Sequence, residues 1–185
     1  MSNLLLQNVR IAYPNLYVPS AFSDGGKLRY GSVLLFPKEH PAYGLVVNAM
    51  REVAKAKWGA KGDEIVSLML RDVGPKGPTC LHDGAFKPGS AGYAGNWYVS
   101  ANSNVRPKVY DKQKRPLDEK NNIIYPGCYV HASIDLWAQQ HESGKKINGT
   151  LLGIMFARDG DRLVGAAPST GEEFDAFVQV EDSLF

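Results

Sequence analysis

Between Cys128 and Trp137 the chain alternates without a break. Cys128, Val130, Ala132, Ile134 and Leu136 take one side of an extended strand, and Tyr129, His131, Ser133, Asp135 and Trp137 the other. A period of two fits a strand buried on one face only, so a sheet with a wet side is required. Other strand-like stretches are cut by Gly, Pro and Asn. Leu4–Tyr13 is a first strand stopped by Pro14, and Lys27–Phe36 a second stopped by Pro37. Asn96–Ala101 is a third, and Ile147–Arg158 follows the Glu142–Lys145 turn, with Asp159-Gly160 as a tight-turn signal after it. Pro41 to Trp58 is the one clear helix: Leu45, Ala49, Val53 and Ala56 recur at helical spacing, and Gly59 ends it. Residues 71–95 are rich in Gly and Pro and predict a long loop, while Val109–Ile124 predicts an extended basic hairpin. About five strands and one helix, without βαβ alternation, give a mainly β protein, a small Greek-key barrel.

Charge divides the chain. Residues 1–170 hold all 21 Lys and Arg but 14 of the 19 acids, a net +7. The other five acids (Glu172, Glu173, Asp175, Glu181 and Asp182) lie in a stretch with no base that ends at Phe185. A basic body with an anionic tail suits a polyanion ligand that the tail can mimic. The chain therefore reads as one domain over 1–165, with a linker and flexible acidic tail over 166–185. Leu4-Leu5-Leu6 is followed at once by Gln7, Asn8 and Arg10, too short a run for a signal peptide or a membrane span. The expectation is a cytoplasmic protein with Cys80 and Cys128 as reduced thiols.

Catalytic patterns are weak. His131, Ser133 and Asp135 share a strand face at roughly 7 Å intervals, a spacing that suits a wettable surface rather than a triad. Cys80 and His82 offer two zinc ligands where four are needed, and Cys128 with His131 is a poor second pair. There is no P-loop or Rossmann phosphate loop and no paired-carboxylate constellation, so neither metal nor cofactor is expected.

The stronger signal is cationic and aromatic. Arg106, Lys108, Lys112, Lys114, Arg115 and Lys120 fall within fifteen residues around Tyr110, with Trp97, Tyr98, Tyr125, Tyr129 and Trp137 nearby. Bases with interleaved rings match a nucleic-acid single strand, since phosphates need cations and unstacked bases need flat partners. A solvated hairpin and buried rings are the plain alternatives, and an exposed Trp137 could instead form a homodimer contact.

Three ordered segments carry a resemblance. They are Asn102–Asp111 (NSNVRPKVYD), Tyr125–Ile134 (YPGCYVHASI) and Gly153–Leu163 (GIMFARDGDRL). Val9–Leu16, Tyr30–Lys38, Trp58-Gly59 and Leu70–Asp72 extend it over nearly the whole chain. The series resembles a phage-encoded single-stranded-DNA-binding family with an OB-fold. The resemblance implies a five-stranded barrel that coats single-stranded DNA during phage replication and recombination in an infected host cell. The tail is similar to those of podophage DNA-binding proteins, which implies recruitment of replication proteins such as DNA polymerase through Glu181-Asp182-Ser183-Leu184-Phe185. Site residues follow from side-chain chemistry within these segments. Arg106, Lys108, Lys112, Lys114, Arg115 and Arg158 are expected on phosphates, and Tyr110, Tyr129 and Trp137 against bases. The rival classes are a phage scaffolding or protein-interaction module and, further off, a DNA-processing enzyme.

Overall fold

The computed structural model describes residues 2–21 and 25–163. Among these described residues seven strands form one sheet: β1 (Ser2–Ser20), β2 (Arg29–Pro37), β3 (Leu81–Asp83), β4 (Asn96–Ser103), β5 (Lys108–Tyr110), β6 (Tyr129–His141) and β7 (Gly144–Arg158). β1 pairs with β2 and β6, β2 with β4, and β6 with β7, all antiparallel. β4 meets β7 in parallel at Asn102 and Thr150, and this contact closes a five-stranded barrel. The spatial order β6-β1-β2-β4 is a Greek key, the architecture expected. β3 and β5 are short additions on β4 and β7.

The alternation in β6 holds: Val130, Ala132, Ile134 and Leu136 are buried, while Tyr129, His131, Ser133, Asp135 and Trp137 keep solvent contact. Leu6, Val9, Leu34, Phe36, Val99, Ile147 and Ile154 meet them inside the barrel. The helix α1 (Ala42–Trp58) lies between β2 and β4 in sequence and packs on β1 and β6. Its buried stripe is Ala42, Val46, Ala49, Met50 and Ala54. That stripe is rotated from the expected one, for Leu45 and Ala56 face solvent. No sequence expectation covers α2 (Gly62–Met69), which folds back on α1. Gly62 allows the approach, because a Cβ there would sit 2.5 Å from the Lys55 nitrogen.

Pro14 does not stop β1. The β1–β2 register shifts between Ala12 and Asn15, and a bulge is where a residue without an N–H costs the ladder nothing. Within 71–95, Leu81–Asp83 pairs with β4 instead of remaining loop. The 109–124 hairpin contracts to a tight return, with Leu117 N–H donating to Val109 O (2.8 Å) and Asp111 N–H to Arg115 O (2.9 Å). Pro116 has no N–H for a further rung. After Arg158 the chain makes no turn at Asp159-Gly160; Leu163 N–H instead donates to Pro126 O (2.9 Å).

Candidate nucleic-acid interface

The wet face of β6 sets the site. Trp137 stands at one end of it and Tyr129 at the other, eight residues or about 26 Å apart along the strand. β7 runs beside it, pairing Asn148 with Trp137, Met155 with His131, and Arg158 with Tyr129. β5 extends the wall on the far edge of β7, where Tyr110 pairs with Met155 and Lys108 with Gly153. Tyr110, Tyr129, Trp137, Lys108 and Arg158 therefore share one outer wall of the barrel.

Beside Trp137 lies a groove of about 660 Å³, where β4, β6 and β7 meet the 75–80 loop. Arg29 and Lys146 supply cations, while Asn102, Asn104, Gln139 and Asn148 supply amides. Among the described residues no acidic side chain lines it. Trp137 is 42% exposed, and its Nε1–H donates to Thr150 Oγ1 (3.1 Å), which fixes the ring in the groove wall. Hydrogen-bonding side chains, two cations and one exposed ring make a surface for a strand of bases and phosphates.

The cations of the basic segment have different partners. Arg106 lies over the Tyr17 ring, 4.9 Å from its centroid. Lys112 lies 5.8 Å from the Phe156 centroid. Arg115 is tied to Asp111, Nε to Oδ2 at 2.7 Å, so much of its charge is answered locally. Asp111 Oδ1 also accepts from the Gln113 and Arg115 backbone N–H groups, both at 2.9 Å. The Arg115 N–H, outweighing burial, holds the Asp111 carboxyl below its usual range, and the Arg115 guanidinium and Gln113 N–H act the same way. Lys114 sits at the tip with φ 61°. At the other end of the wall, the Arg158 guanidinium covers Tyr129 at 3.7 Å from the ring centroid, and Gly160 lies against the same ring. A base arriving there meets the guanidinium before the phenol.

His131 Nδ1 accepts from the Asn8 N–H (3.2 Å), so this imidazole is engaged with backbone. Cys80 and His82 flank the groove. Burial pushes the Cys80 thiol up to about 12 and holds His82 below its usual value, leaving a neutral ring whose Nδ1–H donates to Gly74 O (2.8 Å). Among the described residues no three His, Cys, Asp or Glu side chains converge as metal ligands, and no helix is long and apolar enough to cross a membrane. Glu172, Glu173, Asp175, Glu181, Asp182 and Phe185 lie outside the described residues.

A model of the family described as the single-stranded-DNA-binding protein of Enterobacter phage Enc34 matches residues 2–185. The chain belongs to this family. It is 34% identical over 178 residues to protein p50 of the Acyrthosiphon pisum secondary endosymbiont phage 1, covering 96% of this chain and 95% of that one. The Enc34 single-stranded-DNA-binding protein, solved in complex with single-stranded DNA, superposes with a TM-score of 0.67 at 28% identity, over 85% of this chain and 87% of that one. The gp2.5 single-stranded-DNA-binding protein of bacteriophage T7 superposes at 0.54 with 13% identity, over 100% and 99% of the two chains, a likeness of fold alone. In this Enc34-family chain Arg29, Asn102 and Asn104 carry no sequence signal of their own, because they meet the groove from separate parts of the fold. Asn148 and Lys146 could be found, by counting forward along β7 from the turn to face Trp137 and Gln139.

Proposed function

We infer that the protein binds single-stranded DNA without catalysis. The strand lies in the Trp137 groove and runs along the outer wall of β6 and β7 toward Arg158. One observation carries this: a groove with cations, amides and an exposed tryptophan, and no acid among the described residues, in a member of a family described by its single-stranded-DNA-binding protein. Trp137 and Tyr110 stack on bases. Lys108, Arg158, Arg106, Lys112 and Lys114 hold phosphates, with Arg29 and Lys146 added at the groove, and Arg115 first holds the basic turn in shape. Tyr129 acts through the guanidinium that covers it. Coating of this kind serves phage DNA replication and recombination in the host cytoplasm, and the acidic tail supplies the contact to replication proteins such as DNA polymerase.

A fluorescence titration with dT oligonucleotides at several salt concentrations tests it. Each neutralised phosphate on a single strand contributes a log–log slope of about −0.7, so the full set of cations assigned here gives a slope of roughly −5. A flat salt response, or equal affinity for a duplex of the same length, overturns the proposal.

A further inference from the structure

The outer wall holds a second depression, about 350 Å³, separate from the Trp137 groove. Leu5, Tyr110 and Met155 give its lining apolar surface beside Gly153. Gln7, His131 and Ser133 give it polar groups. Two irregularities of the sheet border it. The β1–β6 register shifts between Leu6 and Val9, where Asn8 adopts φ 51°, and the β6–β7 register shifts between Ser133 and Ile134. Bulges of this sort take backbone off the ladder and re-aim side chains, and Asn tolerates the left-handed conformation that one of them needs. The Asn8 N–H, off the ladder, donates to His131 Nδ1 (3.2 Å), so the neutral imidazole carries its proton on Nε2. Gly153 brings no side chain to the lining, and a Cβ there would come 3.3 Å from Lys108 O.

We propose that this depression is a pocket for one unstacked nucleobase of the bound strand, an inference that rests on the single-stranded-DNA reading above. The Tyr110 ring with Leu5 and Met155 suits the faces of a base, and the Gln7 amide, Ser133 hydroxyl and His131 Nε2–H suit its edge. Lys108, in register with Gly153, and Arg158, at the end of β7, bracket the pocket and are placed for the flanking phosphates. His131 and Trp137 are six residues apart on one face of β6, about 20 Å. A strand stacked on Trp137 therefore reaches the pocket only when it is several nucleotides long.

The test titrates the full chain with dT oligonucleotides from about four to sixteen nucleotides, the range of OB-fold site sizes. In the longest, a single abasic nucleotide is moved along the sequence. Two interior positions, one at Trp137 and one at the pocket, should each lose about five- to a hundredfold in affinity, the range for one stacked base. In Tyr110→Ala and in the pocket-filling Ser133→Phe, the loss at the pocket position disappears and the loss at the Trp137 position remains. Leu5 is 52% exposed, so Leu5→Ala reads the same coupling should Ser133→Phe fail to fold. If only one position is sensitive, or if variant and abasic losses simply add, the pocket proposal is overturned while the DNA-binding reading stands. Absence of dT binding at every length sinks that reading itself.

Discussion

Trp137 and Leu136 are adjacent in the chain yet have opposite fates: 42% of the tryptophan is exposed, against 1% of the leucine. The pleat decides this, because neighbouring side chains point to opposite faces of a strand. Trp137→Ala should therefore cost on the order of 1–3 kcal/mol of single-strand binding with little change in melting temperature. Ile134→Ala, on the buried face of the same strand, should cost about 2–5 kcal/mol of stability. Measuring oligonucleotide affinity and thermal unfolding on both variants checks the contrast; a large loss of stability in Trp137→Ala would make that ring core. Orientation on β6 was legible in the sequence. What covers each ring was not: Arg158 lies on Tyr129 because β7 pairs with β6 in one register, and alternation within a strand does not report its neighbour's register.

Among the elements, the basic segment departs most from expectation. A long hairpin needs alternating donors on both arms, but Pro116 interrupts the return arm and the Asp111 carboxylate gathers the Gln113 and Arg115 backbone into a tight turn. The turn should depend on pH accordingly. The Asp111 pKa is depressed in the folded state, so its contribution is complete above the unfolded value of about 3.9 and drains away as pH falls through the lower folded value. Amide protection of Gln113 and Arg115 should persist from neutral pH to about 4 and vanish below, and Asp111→Asn should weaken it at neutral pH. Protection that ignores both acid and the substitution would show that the carboxylate does not hold the turn. β1 teaches a related lesson. Pro14 is a sound strand breaker on a straight ladder, and a bulge removes the reason for breaking.

Over the whole molecule, the net +7 of residues 1–170 faces five acids in residues 171–185. A tethered polyanion competes with DNA for the same cations, and apparent affinity falls by the open fraction. Deleting 171–185 should tighten dT binding several-fold at low salt, with the gain fading as salt screens the attraction. It should also abolish pull-down of a replication partner. Equal affinity with and without the tail at every salt concentration, together with unchanged pull-downs, would leave the tail as a solubilising terminus.

The sequence by itself determined the buried face of β6, the extent of α1 to within a residue, the division of charge, and the resemblance that the family match bears out. Each is either local or ordered along the chain: a pleat, a helical turn, a count of charges, a motif series. Tertiary structure decided the groove and the base pocket. Arg29, Asn102, Trp137 and Asn148 come from four strands and meet only because β4 joins β7 at Asn102 and Thr150, a pairing across almost fifty residues. The pocket exists because two bulges and Gly153 leave space in the wall. Long-range pairing and bulges are choices made between strands, after loop closure has been overcome, so no window of one strand contains them.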